Sequence, residues 1–169
     1  MDDAELNVRF AQDVAALMRE GKRIVIVHGG GPMISGMLKR LNIESVFKDG
    51  LRVTDAATMQ VVEMVLSGAV NKAVVSLFER EGARAVGFSG KDGSCLVAER
   101  ISADYGLVGN VSKVDPTLFK LALDAGYVPV IAPVAVSAAG DALNVNADSA
   151  AGAVAGALKA HCFVLVTDV

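Results

Sequence analysis

The chain has no tryptophan, and aromatic residues make up only 5% of its 169 positions. Positive charge is also scarce: 16 Lys and Arg stand against 19 Asp and Glu, for a net charge of −3, and no basic cluster stands out. A nucleic-acid or anionic-membrane surface is therefore not indicated. Cysteine occurs twice, at Cys95 and Cys162, without CxxC or Cys/His ligand spacing. Two buried free thiols are expected, and no metal site. The apolar run "YVPVIAPVAV" is too short to cross a bilayer and carries two prolines. The N-terminus, "MDDAELNVRF", is acidic and lacks the apolar stretch of a signal peptide. A cytoplasmic location is expected, with no nucleic acid and no membrane among the partners.

What the sequence does have is small apolar residues. Hydrophobic residues make up 53%, with many Ala, Val and Gly. This length supports one domain with a real core. Helical spacing over 3–20 (Leu6, Phe10, Val14, Leu17) precedes a short branched run, Arg23–Val27, which reads as a buried strand. Pro32 suits the first turn of a helix reaching about Leu41. Asp49-Gly50 between two short apolar runs signals a hairpin. Thr54 or Asp55 is placed to cap the next helix, and the helical pattern that follows is expected to break into two helices near Ser67-Gly68.

Further along, "ARAVGFS" reads as a strand, with more strands around turns in "KDGSCLVAER" and "YGLVGNVSKVD". "PTLFKLALDAG" is a helix punctuated by Pro116 and Gly126. "YVPVIAP" is a buried strand, "VAVSAAGDALNV" a hairpin and "ADSAAGAVAGALKA" a helix, and "CFVLVTDV" a final buried strand. The alternation implies an α/β fold with a largely parallel open sheet and helices on both faces.

Three consecutive glycines, Gly29, Gly30 and Gly31, follow the first strand and precede a helix. Such a turn exposes backbone N–H groups at a helix N-terminus, where they and the helix dipole favour an anion. A tight turn would need one or two glycines; three favour a ligand. The dinucleotide fingerprint fails because Ile34 stands where its third glycine should be, and the Walker A pattern fails because Met37 replaces its lysine. A lipase-type oxyanion hole would demand a GxSxG elbow, and the chain has none.

Other candidates are single polar residues. Arg52 in "GLRVTD" has the fork to clamp a carboxylate, against the alternative of a solvated hairpin charge. Asn71 and Lys72 stand at a helix start, and Lys72 reads as surface charge. Asn144 and Asn146 alternate at a strand end and so point the same way, with Asp148 just beyond. Asn146 or Asp148 is also placed to be a helix N-cap, and a cap at the strand ends would face a ligand crevice as well.

In order along the chain, "VHGGGP", "GLRVTD", "EMVLSGAVNK", "GFSGKDG", "VIAPV", "NVNAD" and "TDV" resemble the N-acetylglutamate kinases of the amino acid kinase family. The likeness covers essentially the whole chain. It implies a three-layer αβα sandwich and transfer of phosphate from MgATP to the side-chain carboxylate of N-acetyl-L-glutamate, in arginine synthesis. By resemblance, Gly29, Gly30 and Gly31 donate to the transferring phosphoryl group and nearby substrate, with Gly30 counted as catalytic. Arg52, Asn144 and Asn146 hold the substrate, and Asp148 organises catalytic lysines. The likeness further implies that residues 1–169 form one substrate-binding domain. The family's first strand, with its lysine, and its nucleotide-binding part, with a second lysine, have no counterpart here. The isolated chain is therefore expected not to turn over, and the full-length protein to be a homo-oligomer. A non-catalytic amino-acid-binding or regulatory module of the same half-fold, or an acetylaminoadipate kinase, are the alternatives.

Overall fold

A computed structural model describes residues 4–166. Helix α1 (Ala4–Arg19) leads to strand β1 (Ile26–Val27), helix α2 (Gly31–Arg40) and a hairpin of β2 (Phe47–Lys48) and β3 (Leu51–Arg52). Helix α3 (Ala56–Glu63) then runs through a π-helical segment (Met64–Val70) into α4 (Asn71–Arg80). Strands β4 (Ala85–Ser89), β5 (Leu96–Arg100) and β6 (Val108–Val114) precede helix α5 (Thr117–Asp124). The rest comprises β7 (Val128–Ala132), β8 (Val134–Val136), β9 (Ala142–Val145) and helix α6 (Ala147–Leu158).

Strand β7 is buried at all five residues because it is covered on both faces. It pairs in parallel with β1 on one side and β4 on the other. Side chains alternate across a strand. Val128, Val130 and Ala132 accordingly enter one core, with Val14 of α1, Leu38 of α2, Val62 of α3 and Phe78 of α4. Ile131 enters the other, with Phe119 of α5 and Ala150 and Val154 of α6. Helices thus flank the sheet on both sides, as in an αβα sandwich.

The parallel sheet is only part of the β-structure. Strands β5, β6, β9 and β8 close into a small barrel in which antiparallel and parallel pairings alternate. The expected hairpin over 134–145 is one side of this barrel. β1 is shorter than the expected Arg23–Val27, because only Ile26 and Val27 have neighbours to pair with.

Three expectations are overturned. The segment from Ala56 to Arg80 does not break at Ser67-Gly68: the backbone bonds widen to the π pattern over Met64–Val70 and the helix continues. It is long and apolar enough to cross a membrane by length and composition. Its buried residues, Val61, Val65, Leu66, Val70 and Val74 among them, pack into the first core. The final strand is also absent over residues 162–166, where Phe163, Val164, Leu165 and Val166 are exposed and no ladder partner exists among the described residues. Thr167, Asp168 and Val169, the "TDV" of the resemblance, lie outside the described residues. Cys162 is consequently exposed, not buried. Cys95 is buried, and burial pushes its thiol up to about 12.

Candidate functional site

Beyond β1 the chain turns through the three glycines into α2, with Pro32 in the helix's first turn. Each glycine carbonyl is engaged. Gly29 accepts from the His28 imidazole Nδ1 at 2.9 Å, Gly30 from the Ile34 amide at 3.0 Å, and Gly31 from Arg52 Nη2 at 3.2 Å. None of the three amides has an acceptor among the described residues. The turn therefore spends its acceptors inward and leaves its donors, at a helix N-terminus, for an anion.

The glycines are not equivalent. A Cβ on Gly30 would lie 2.7 Å from Leu66 Cδ2 and 3.1 Å from Val70 Cγ2, so the π-helical segment is seated on it. A Cβ on Gly29 would make an ordinary 3.8 Å contact with Ala147, and one on Gly31 would meet nothing within 4 Å. Open space thus lies at Gly31, Gly29 would tolerate a Cβ, and Gly30 is glycine for packing.

Arg52 enters the site from the hairpin. The two-residue turn suits a right-twisted ribbon because Asp49 and Gly50 both take positive φ, 49° and 77°. The hairpin's outer side is tied down where the Tyr105 hydroxyl donates to Asp49 at 2.6 Å and Lys48 pairs with Asp104 at 2.9 Å. Arg52 itself is only 7% exposed, so it is no solvated hairpin charge. Its guanidinium donates to Ser45 Oγ, to Ser35 Oγ at 3.0 Å and to the Gly31 carbonyl, and it stacks over the Phe47 ring at 4.6 Å. No carboxylate pairs with it among the described residues. Desolvation lowers its pKa from the usual arginine value. A buried cation held only by neutral oxygens is costly unless an anion joins it.

From the opposite wall come Asn144 of β9 and the start of α6. Asn144 Nδ2 donates to Thr54 Oγ1 at 3.1 Å, and Thr54 Oγ1 donates to the Arg52 carbonyl at 2.7 Å. The Asn144 carboxamide and the Arg52 backbone are thereby set relative to each other. Asn146 caps α6, its Oδ1 accepting from the Ser149 amide at 3.0 Å. Gly29, Gly30, Gly31, Arg52, Asn144 and Asn146 line one cleft of about 160 Å³. Asp148 does not line it: it is exposed on the first turn of α6, next to the lining residue Ala147, and makes no hydrogen bond or ion pair among the described residues.

A larger depression of about 490 Å³ lies around Thr54, Asp55, Met59, Glu63, Arg100 and Asp141. Its charges are matched internally. Arg100 pairs with Asp141 at 3.3 Å, Glu63 with Lys91 at 2.6 Å, and Asp55 caps α3 by accepting from the Thr58 amide at 2.7 Å. The smaller cleft, with its unspent donors and unpaired cation, is the better candidate.

Two polar residues behind the cleft, read from the sequence only as a helix start and a surface charge, form a network there. Asn71 is fully buried, and its Nδ2 donates to the Val130 carbonyl at 2.9 Å and to His28 Nε2 at 3.1 Å. Lys72, exposed, donates to Asn71 Oδ1 at 2.9 Å. A signal was present: Asn71, Val74 and Phe78 share one helical face, so an asparagine on that stripe is buried.

Known proteins place this architecture. The model of the amino acid kinase family matches residues 1–169. An acetylglutamate kinase of Synechococcus sp. (strain WH7803) is 54% identical over 99% of this chain and 58% of its own length. The one from Ruegeria pomeroyi is 48% identical over all of this chain and 59% of its own. The chloroplastic enzyme of Arabidopsis thaliana is 50% identical, again over all of this chain but 49% of its own. The chain thus spans between about half and three fifths of the length of these relatives. A solved structure from Streptococcus mutans UA159 superposes with a TM-score of 0.85 at 30% identity, over 89% of this chain and 62% of that one. Isopentenyl phosphate kinase, at 19% identity and a TM-score of 0.62, shares the fold. With its two-faced sheet, its glycine turn and a family match along its whole length, the chain belongs to the amino acid kinase family.

Proposed function

We propose that the chain is the amino-acid-binding part of an enzyme that phosphorylates the side-chain carboxylate of N-acetyl-L-glutamate with ATP. The observation that carries this reading is the buried, carboxylate-free Arg52 beside three unspent glycine amides. Arg52 would take one carboxylate of the substrate in a charge-assisted bond. Asn144 and Asn146, across the cleft, would orient the rest. The amides of Gly29, Gly30 and Gly31 would face the oxygens of the acceptor carboxylate and of the incoming phosphoryl group.

A carboxylate needs no deprotonation at neutral pH, so such a site needs no general base. Its work is alignment and neutralisation of charge. A well-placed oxyanion donor contributes about 3–4 kcal/mol to such a transition state. In this reading Asp148 orders cationic groups at the rim of the cleft. For Mg²⁺, the described residues hold no cluster of three or more His, Cys, Asp or Glu. They do not fit a protein-built metal cage, and no step is assigned to one.

Among the described residues, the cleft is lined by one arginine and no lysine. That favours a second reading for the chain on its own, in which it binds the amino acid without transferring phosphate. Calorimetry with N-acetyl-L-glutamate tests the shared premise. Binding by the intact chain, lost in Arg52→Ala, is the expected result; equal affinity in wild type and variant would remove Arg52 from the site. An assay of acetylglutamate-dependent ADP release then separates the two readings.

A further inference from the structure

The glycine turn is held in its orientation from behind, by residues that do not line the cleft. In a trans peptide the C=O and N–H point in opposite directions. Fixing the Gly29 carbonyl therefore fixes the direction of the Gly30 amide. That carbonyl is held by His28 Nδ1 at 2.9 Å. A carbonyl only accepts, so the Nδ1 nitrogen carries the proton and Nε2 is left as an acceptor. Nε2 meets a donor, Asn71 Nδ2, at 3.1 Å.

Asn71 is itself unable to turn. Its Nδ2 is anchored on the Val130 carbonyl at 2.9 Å and approaches that of Phe88 at 3.3 Å, on β7 and β4 respectively. Its Oδ1 accepts from Lys72 Nζ at 2.9 Å. Gly87 on β4 makes the space: a Cβ there would lie 1.9 Å from Asn71 Oδ1 and 2.6 Å from Lys72 Nζ. A buried network whose members are all satisfied specifies a single geometry.

We infer that Asn71 and His28 are positioning residues: Asn71 selects the imidazole tautomer, and the imidazole in turn aims the Gly30 amide into the cleft. The role assigned to that amide rests on the reading given under Proposed function; the tautomer and the aim do not. The arrangement couples the centre of the parallel sheet to the ligand-facing turn through two side chains.

Nitrogen NMR of the labelled intact chain at pH 7.5 reads the tautomer directly. A neutral His28 protonated on Nδ1 is expected, and a ring protonated on Nε2 would overturn the inference without any variant. Two substitutions divide the ring's functions. His28→Asn keeps a donor near the place of Nδ1, whereas His28→Gln keeps a polar end near Nε2 and loses the tether to Gly29. The Gly30 amide resonance should stay near its wild-type position in His28→Asn and move in His28→Gln. The dissociation constant for N-acetyl-L-glutamate should weaken at least about tenfold in His28→Gln and only about threefold or less in His28→Asn, the weight of one hydrogen bond. Equal behaviour of the two variants, in resonance and in affinity, would sink the inference. If the wild-type chain binds no N-acetyl-L-glutamate, the proposed function fails, while the tautomer and the Gly30 resonance still decide the positioning role.

Discussion

Gly30 and Leu66 are in such close contact that a methyl group on the glycine would come within 2.7 Å of the leucine Cδ2. Leu66 belongs to the π-helical segment, so the cleft-lining turn and the irregular stretch of the long helix are packed as one unit. The neighbouring Gly31 has no atom within 4 Å of where its Cβ would stand.

The two glycines should therefore fail differently. Gly30→Ala overpacks the contact with Leu66 and Val70 and is expected to destabilise the fold by about 1–3 kcal/mol. Gly31→Ala should leave the unfolding free energy within about 0.5 kcal/mol of wild type and show its effect in ligand affinity instead. Urea denaturation of both variants checks this, and equal loss of stability would refute the division.

His28 makes stability fall on acidification. Burial, with Lys72 nearby, lowers its pKa below the ordinary 6.5. Between that folded value and 6.5 the unfolded chain binds more protons than the folded one, so stability rises with pH across this window and is lost as pH drops through it. The carboxylates of Asp55, Asp104 and Asp115 are held below 3.8 and act in a more acidic range. Denaturation midpoints for wild type should decline from pH 7.5 toward pH 5, and His28→Asn should flatten that decline. A wild-type midpoint that does not change would count against a buried neutral imidazole.

The two thiols should react at very different rates. Cys162 is exposed, whereas Cys95 is buried, pushed up to about 12, and donates to the Ser89 carbonyl at 3.3 Å. A disulfide reagent at pH 8 should modify one thiol rapidly and the second only after denaturation. Fast modification of two equivalents in the native protein would contradict the burial of Cys95.

Locally encoded features were legible in the sequence. Pro32 and the glycines located the start of α2, Asp49-Gly50 the hairpin turn, and Asn146 or Asp148 the cap of α6, which falls to Asn146, because each is decided by backbone chemistry within a few residues. The convergence of the glycine turn, Arg52, Asn144 and Asn146 on one cleft was also foreseeable, since all sit at strand ends or in the hairpin beside them. The closed barrel was not, because the pairing of β6 with β9 and of β5 with β8 joins segments more than thirty residues apart. Nor was the π-helical segment: Ser67-Gly68 weakens a helix locally, yet burial of Val65, Leu66 and Val70 carries the chain through it. Taken alone, Arg52 read as a solvated hairpin charge, and only the fold buries it.

Strand β7 is a wall shared by two rooms. Val130 and Ile131 are adjacent residues, yet they belong to different cores, and both are fully buried. Neither set of helices can come away without uncovering the strand on which the other rests. The five residues Val128–Ala132 thereby bind the two faces of the molecule into one cooperative unfolding unit, and the glycine turn at the cleft inherits the stability of the whole.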